Sequence, residues 1–105
     1  MRVALSLQRR SFSYRILVYT KEESMEEKYH QRLLEHTGKR IRFYRKLCNM
    51  SQDQLAAAIY KSESTLSKYE RGAISPDVVT LYDIAHALNI DAYQLLDYEA
   101  PTQAA

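Results

Sequence analysis

The stretch SQDQLAAAIYKSESTLSKYERG, from Ser51 to Gly72, constrains this chain more than any other. It holds two helix starts with very little chain between them. Ser51 stands three residues before Gln54, so the serine hydroxyl and the glutamine amide can each satisfy the other's free backbone N–H and open a helix. Leu55, Ala56 and Ile59 then share one face. Tyr60 and Lys61 form the turn, Ser62 caps again, and Gly72 ends the second helix. That second helix has only Leu66 and Tyr69 to pin it, while Glu63, Ser64, Ser67 and Lys68 lie on the other side. None of those four favours burial. The chain must therefore hold a short polar helix by two apolar side chains and leave its other face outward.

More helices surround this pair. Two glycines and two prolines in 105 residues favour long helices and short turns over sandwiches or barrels. A chain of this length supports one domain with a modest core. MEEKYHQRLLEHTGKRIRFYRKLCN places Leu33, Ile41, Tyr44 and Cys48 near helical spacing. Gly38 is expected to divide it into a lead-in helix near 26–36 and a first domain helix near 38–48, with Asn49 as a left-handed stop. Ser75 is expected to cap the fourth domain helix, with Pro76 in its first turn and Val78, Leu81, Ile84, Ala85 and Leu88 inward, ending at Asn89. Asp91 and Gln94 form a second capping box before a short helix with Leu95 and Leu96.

The N-terminal stretch differs. FSYRILVY, Phe12 to Tyr19, is rich in aromatic and β-branched residues and reads as a strand, which needs a partner strand or stays unfolded. A two-fold-related copy is the economical mate. Lys21-Glu22-Glu23-Ser24-Met25 can also be encoded by a purine-rich ribosome-binding sequence just ahead of an ATG. On that second reading residues 1–24 are an over-extended start, and Met25 is the natural one. The expected divisions are an extension at 1–24, a lead-in helix at 25–37, the main domain at 38–98 and a tail at 99–105.

Composition closes several routes. No run approaches the roughly 20 apolar residues of a membrane span. The opening MRVALSLQRR has too short an apolar part, and no small-residue cleavage site, for a secretory signal. A single cysteine, Cys48, forms no internal disulfide, so a reducing cytoplasm is the expected compartment. His30, His36 and His86 lack metal-ligand spacing, and five short helices give little cleft for catalysis, so neither a metal, a cofactor, a small-molecule substrate nor an enzyme activity is expected. Charge is sharply divided. Residues 37–72 carry eight basic and three acidic side chains, a net of +5, and residues 73–105 carry five acidic and no Lys or Arg, a net of −5. Such a chain presents one end to a polyanion.

An outward polar helix fits the DNA major groove, about 12 Å wide, where short side chains near its start reach base edges. The words GKRIRFYRK, SQDQLAAAI, SESTLSKYERG, SPDVVTLYDIAHALNI and QLL, spanning about Gly38 to Leu96, resemble the phage-repressor and Cro-type helix-turn-helix regulators, often called the XRE family. The resemblance implies an all-α fold, a five-helix lambda-repressor-like DNA-binding domain. It implies base reading by Glu63, Ser64, Ser67 and Lys68. It implies backbone contacts by Ser51, Gln52, Lys61, Ser62, Thr65 and Arg71, and a structural ion pair of Arg45 with Glu70. Each role has a plainer rival: Glu63 suits a helix N-terminus, Lys68 a solvated face, and the serines cap helices with the same hydroxyl. The family usually places glycine and an aliphatic residue where this chain has Tyr60 and Lys61, so Tyr60 is expected in a left-handed or altered turn.

The reading is a cytoplasmic, sequence-specific DNA-binding regulator, a repressor on a palindromic operator in double-stranded DNA, acting as a homodimer. Tyr93, Leu95, Leu96 and Tyr98 are the expected dimer patch. The alternative is an antitoxin or interaction module of the same fold that binds a partner protein.

Overall fold

The computed structural model describes the backbone of residues 12–98 and the side-chain surroundings of residues 26–98, and the expected tail at 99–105 lies outside them. Among these residues there are five helices and no strand: α1 (Phe12–Leu47), α2 (Gln52–Ala58), α3 (Glu63–Arg71), α4 (Val78–Leu88) and α5 (Ala92–Leu96). Four of them stop in one way. Asn49, Tyr60, Gly72 and Asn89 each take a left-handed conformation, with φ of 59°, 60°, 75° and 59°. The N–H groups at and after each such residue turn back onto the last carbonyls, as in Tyr60 N–H to Ala57 O (3.2 Å) and Lys61 N–H to Ala56 O (2.9 Å). This satisfies carbonyls that would otherwise be orphaned at the helix end.

The starts are equally local. Ser51 Oγ accepts from the Gln54 N–H at 3.0 Å, and Gln54 Oε1 accepts from the Ser51 N–H at 2.8 Å. Ser62 Oγ accepts from the Thr65 N–H at 3.0 Å. Asp91 N–H donates to Gln94 Oε1 at 3.0 Å. The fourth start differs from expectation. Asp77, not Ser75, caps α4 by accepting from the Thr80 N–H at 2.7 Å, and Pro76 lies outside the helix. A carboxylate accepts the helix N–H groups more strongly than a hydroxyl.

The core of the domain is built from Ile41, Leu55, Leu66, Ile84, Leu88 and Leu95, all fully buried, with Ala56, Ile59, Tyr69 and Ala85 around them. Each large apolar side chain so buried contributes about 1.5–3 kcal/mol. Two residues expected to face inward, Val78 and Cys48, do not. Val78 is 68% exposed and Thr80 takes a buried place instead, because the helix starts late and sets its inward row at 80, 84 and 88. Leu96 is 51% exposed, and Cys48, in the turn after α1, is also exposed.

Helix α1 overturns two expectations. Phe12–Tyr19 is helical rather than a strand. A lone strand leaves its backbone groups unpaired, whereas a helix satisfies its own, and no glycine or proline interrupts residues 12–37. Nor does Gly38 break the helix. A Cβ at Gly38 would collide with the carbonyl oxygens of Tyr69 and Glu70 and lie 2.8 Å from the Glu70 carbonyl carbon. The glycine is there to let the end of α3 approach. The chain divides into two compact units: one ends at His30 and holds the N-terminal part of α1, and the other begins at Gln31 and holds the remainder of α1 with α2–α5.

The Asp77 cap has a pH consequence. Hydrogen bonds from Thr80, with a smaller contribution from the charge of Lys61, hold its carboxyl below the ordinary carboxylate value. A depressed folded-state pKa adds stability above the unfolded value, near about 3.9, and that stability is lost as pH falls through the folded value. Melting of Asp77→Asn, an uncharged cap, is expected to trail wild type at pH 7 and to converge with it once pH has fallen through the lowered folded value of the Asp77 carboxyl.

Candidate nucleic-acid interface

The outward helix is held by three buried side chains in its middle and last turn. Leu66 is fully buried, and Tyr69 and Glu70 follow it at 6% exposure each. The far side of α3 faces solvent: Glu63, Ser64, Lys68 and Arg71 are exposed, and Thr65 and Ser67 are half-buried. Lys61 and Ser62, in the turn before it, are also exposed. Lys61 thus does as a lysine in an aliphatic position should and reaches solvent.

Beneath α3 lies a buried polar network. Arg45 Nε donates to Glu70 Oε2 at 2.6 Å and its Nη2 to Oε1 at 3.1 Å, a two-pronged pair. The side chains of Arg45 and Glu70 are 8% and 2% exposed. Arg45 Nη1 donates to Met50 O at 2.7 Å, and Gln52 Nε2 donates to Glu70 Oε1 at 2.9 Å. One carboxylate thereby joins α1, the turn before α2, α2 itself and α3. Every buried side-chain nitrogen and oxygen among the described residues has a partner, so the network is closed and orients what it touches.

The residues singled out in the sequence fall into two groups. Glu63, Ser64, Lys68 and Lys61 have no side-chain hydrogen bond or ion pair to any described residue. The others are engaged within the chain. Ser51 and Ser62 cap helices, Ser62 Oγ meets Thr65 Oγ1 at 2.9 Å, and Arg71 Nε donates to Ser67 Oγ at 3.3 Å. Gln52 is drawn to Glu70, which leaves one amide hydrogen and its carbonyl oxygen for an outside partner. The Gln52–Glu70 bond and the Gly38 contact were not foreseen from the sequence. Both join residues far apart in the chain, and no local signal marks them.

The α1–α5 contact is polar at its edge. Arg40 donates to the Gln94 carbonyl, and His36 Nε2 lies 2.6 Å from Asp97 O with its ring 5.0 Å from that of Tyr98. Leu95 belongs to the core rather than to a free patch, while Tyr93 is 68% exposed. Among the described residues no group of three or more His, Cys, Asp or Glu is placed to hold a metal ion, and no helix is long and apolar enough to cross a membrane.

Several known proteins are similar to this chain. The sequence model of the family described as Helix-turn-helix matches residues 41–95. The uncharacterised HTH-type transcriptional regulator YazB of Bacillus subtilis (strain 168) is 41% identical over 58 residues, 55% of this chain and 84% of that protein. The clp gene regulator ClgR of Corynebacterium glutamicum superposes with a TM-score of 0.60 at 29% identity, covering 62% of this chain and 69% of that one. The restriction-modification controller protein C.AhdI of Aeromonas hydrophila gives 0.58 at 31% identity, covering 59% and 94%.

Proposed function

The chain belongs to the helix-turn-helix family of XRE type and is a transcriptional regulator with that family's DNA-binding fold; from this premise we propose that it is a repressor that binds a palindromic operator as a homodimer. The observation that carries the reading is the two-sided character of α3, with Leu66 and Tyr69 buried and Glu63, Ser64 and Lys68 exposed and unengaged. Glu63, Ser64, Ser67 and Lys68 read base edges, with Glu63 accepting from a cytosine or adenine amino group. Ser51, Gln52, Lys61, Ser62, Thr65 and Arg71 hold the DNA backbone and set the register.

Dimerisation places two copies of α3 about one helical turn apart, roughly 34 Å, on one face of the duplex. Exposed Tyr93 and Leu96 on α5 support a dimer surface there. Occupying a promoter in this way blocks it, so repression needs no further contact. The proposed divisions remain an extension at 1–24, a lead-in at 25–37, the reading domain at 38–98 and a tail at 99–105.

Selection of bound fragments from random duplex DNA tests the reading and supplies the operator. On that operator Lys68→Ala is expected to weaken binding by about 1–3 kcal/mol and relax preference at one base pair. Gln52→Ala is expected to weaken selected and random duplexes by the same factor, as loss of a backbone contact does. If both variants bind like wild type, the reading unit lies elsewhere.

A further inference from the structure

We propose that Tyr60 is a further DNA-contacting residue, its ring against the sugar–phosphate strand beside the groove and its hydroxyl donating to a phosphate oxygen. The inference rests on α2 and α3 being the DNA-binding unit. It starts from a residue that the fold itself does not explain. The turn needs a positive φ at position 60, and its hydrogen bonds are made by backbone alone. The three equivalent helix ends use Asn49, Gly72 and Asn89, residue types that tolerate this conformation. Only here does a large aromatic side chain accept the strain.

Among the described residues no side-chain contact of Tyr60 offsets that strain. Tyr60 is 92% exposed, whereas the other exposed large hydrophobic residues lie between 40% and 69%. Its hydroxyl bonds to no described residue and its ring makes no aromatic or cation–π contact with one. Local strain kept without a structural return is a mark of a functional position. The place is also suitable. Tyr60 is followed by Lys61, Ser62, Glu63 and Ser64, all exposed, so it stands in the turn that leads into the outward helix. Lys61 gives that end a cation to draw phosphate in. Tyrosine has an apolar body for the sugar and a polar tip for the phosphate, and it is among the side chains that make backbone contacts in protein–DNA complexes. A protein partner is the rival occupant of an exposed tyrosine. The adjacent cation and the continuity with the α3 face favour the nucleic acid.

The test compares Tyr60→Gly, Tyr60→Phe and Lys61→Ala with wild type in the full chain, by thermal melting and by titration of a selected operator and a random duplex at several salt concentrations. Tyr60→Gly is expected to melt higher, because glycine removes the strain, and yet to bind both duplexes about tenfold more weakly, the equivalent of one charge-assisted hydrogen bond. Its salt slope is expected to match wild type, since no charge is lost, whereas Lys61→Ala lowers the slope by about 1. Tyr60→Phe is expected to fall between wild type and glycine. A Tyr60→Gly protein that melts higher and binds both duplexes like wild type overturns the assignment and leaves the DNA-binding reading standing. A wild type that binds neither duplex overturns both. Weaker binding of the operator alone, with the random duplex unchanged, also overturns the backbone contact.

Discussion

Arg45→Met is expected to destabilise the domain by about 3–5 kcal/mol, because it leaves the Glu70 carboxylate buried without its cation. The Glu70 side chain is 2% exposed and takes two of its hydrogen bonds from Arg45. Gln52 remains as a donor, but a neutral amide does not balance the charge. The Met50 carbonyl loses its donor as well, so the turn between α1 and α2 loosens with the pair. Equilibrium urea unfolding measures the loss. The double variant Arg45→Met, Glu70→Leu is expected to regain most of it, since removing both charges also removes the cost of burying them. If the single variant loses less than about 1 kcal/mol, the pair does not hold α3 in place.

The second large effect lies at Gly38. Intrinsic helix propensity predicts that Gly38→Ala in the long α1 helix stabilises by about 1 kcal/mol. Packing predicts the opposite sign, because the new Cβ falls on the backbone carbonyls of Tyr69 and Glu70. Backbone cannot swing aside as a flexible side chain can, so α3 must move as a body and drag Glu70 away from Arg45. Gly38→Val is expected to cost about 3–4 kcal/mol, at the upper end of overpacking, and Gly38→Ala to be destabilising on balance. Thermal melting of the two variants decides between propensity and packing: an alanine variant more stable than wild type means the helices relax apart freely.

These two sites also mark where reading the sequence stops. The ends of α2 and α3, the left-handed or altered turn at Tyr60, the Arg45–Glu70 pair and the outward polar face of α3 were all legible, the turn and the pair through family resemblance and the others from spacing. The Ser75 start, the Gly38 break, the inward Val78 and the Phe12–Tyr19 strand were not borne out. Each of those expectations applied a sound local rule where something else prevailed. Asp77, two residues on from Ser75, supplied the cap by accepting from the Thr80 N–H. Glycine served close approach rather than termination. The apolar run at Phe12 formed the structure that pairs its own backbone.

The same division governs the candidate interface. That Glu63, Ser64 and Lys68 share a face follows from helical spacing alone. That Gln52 is turned toward Glu70, and so presents only part of its amide outward, depends on a contact eighteen positions away along the chain.

What the sequence by itself determined, then, is where α2 and α3 begin, where α1 through α4 stop, and which residues of α3 stand opposite Leu66. Those outcomes are decided by hydrogen bonds and side-chain positions within three or four residues of one another. The tertiary structure alone decided that Gly38 sits under the end of α3, that Thr80 is buried while Val78 is not, and that a single carboxylate gathers Arg45 and Gln52. Those depend on which distant backbone and side-chain atoms arrive at the same point, and no short-range pattern carries that information.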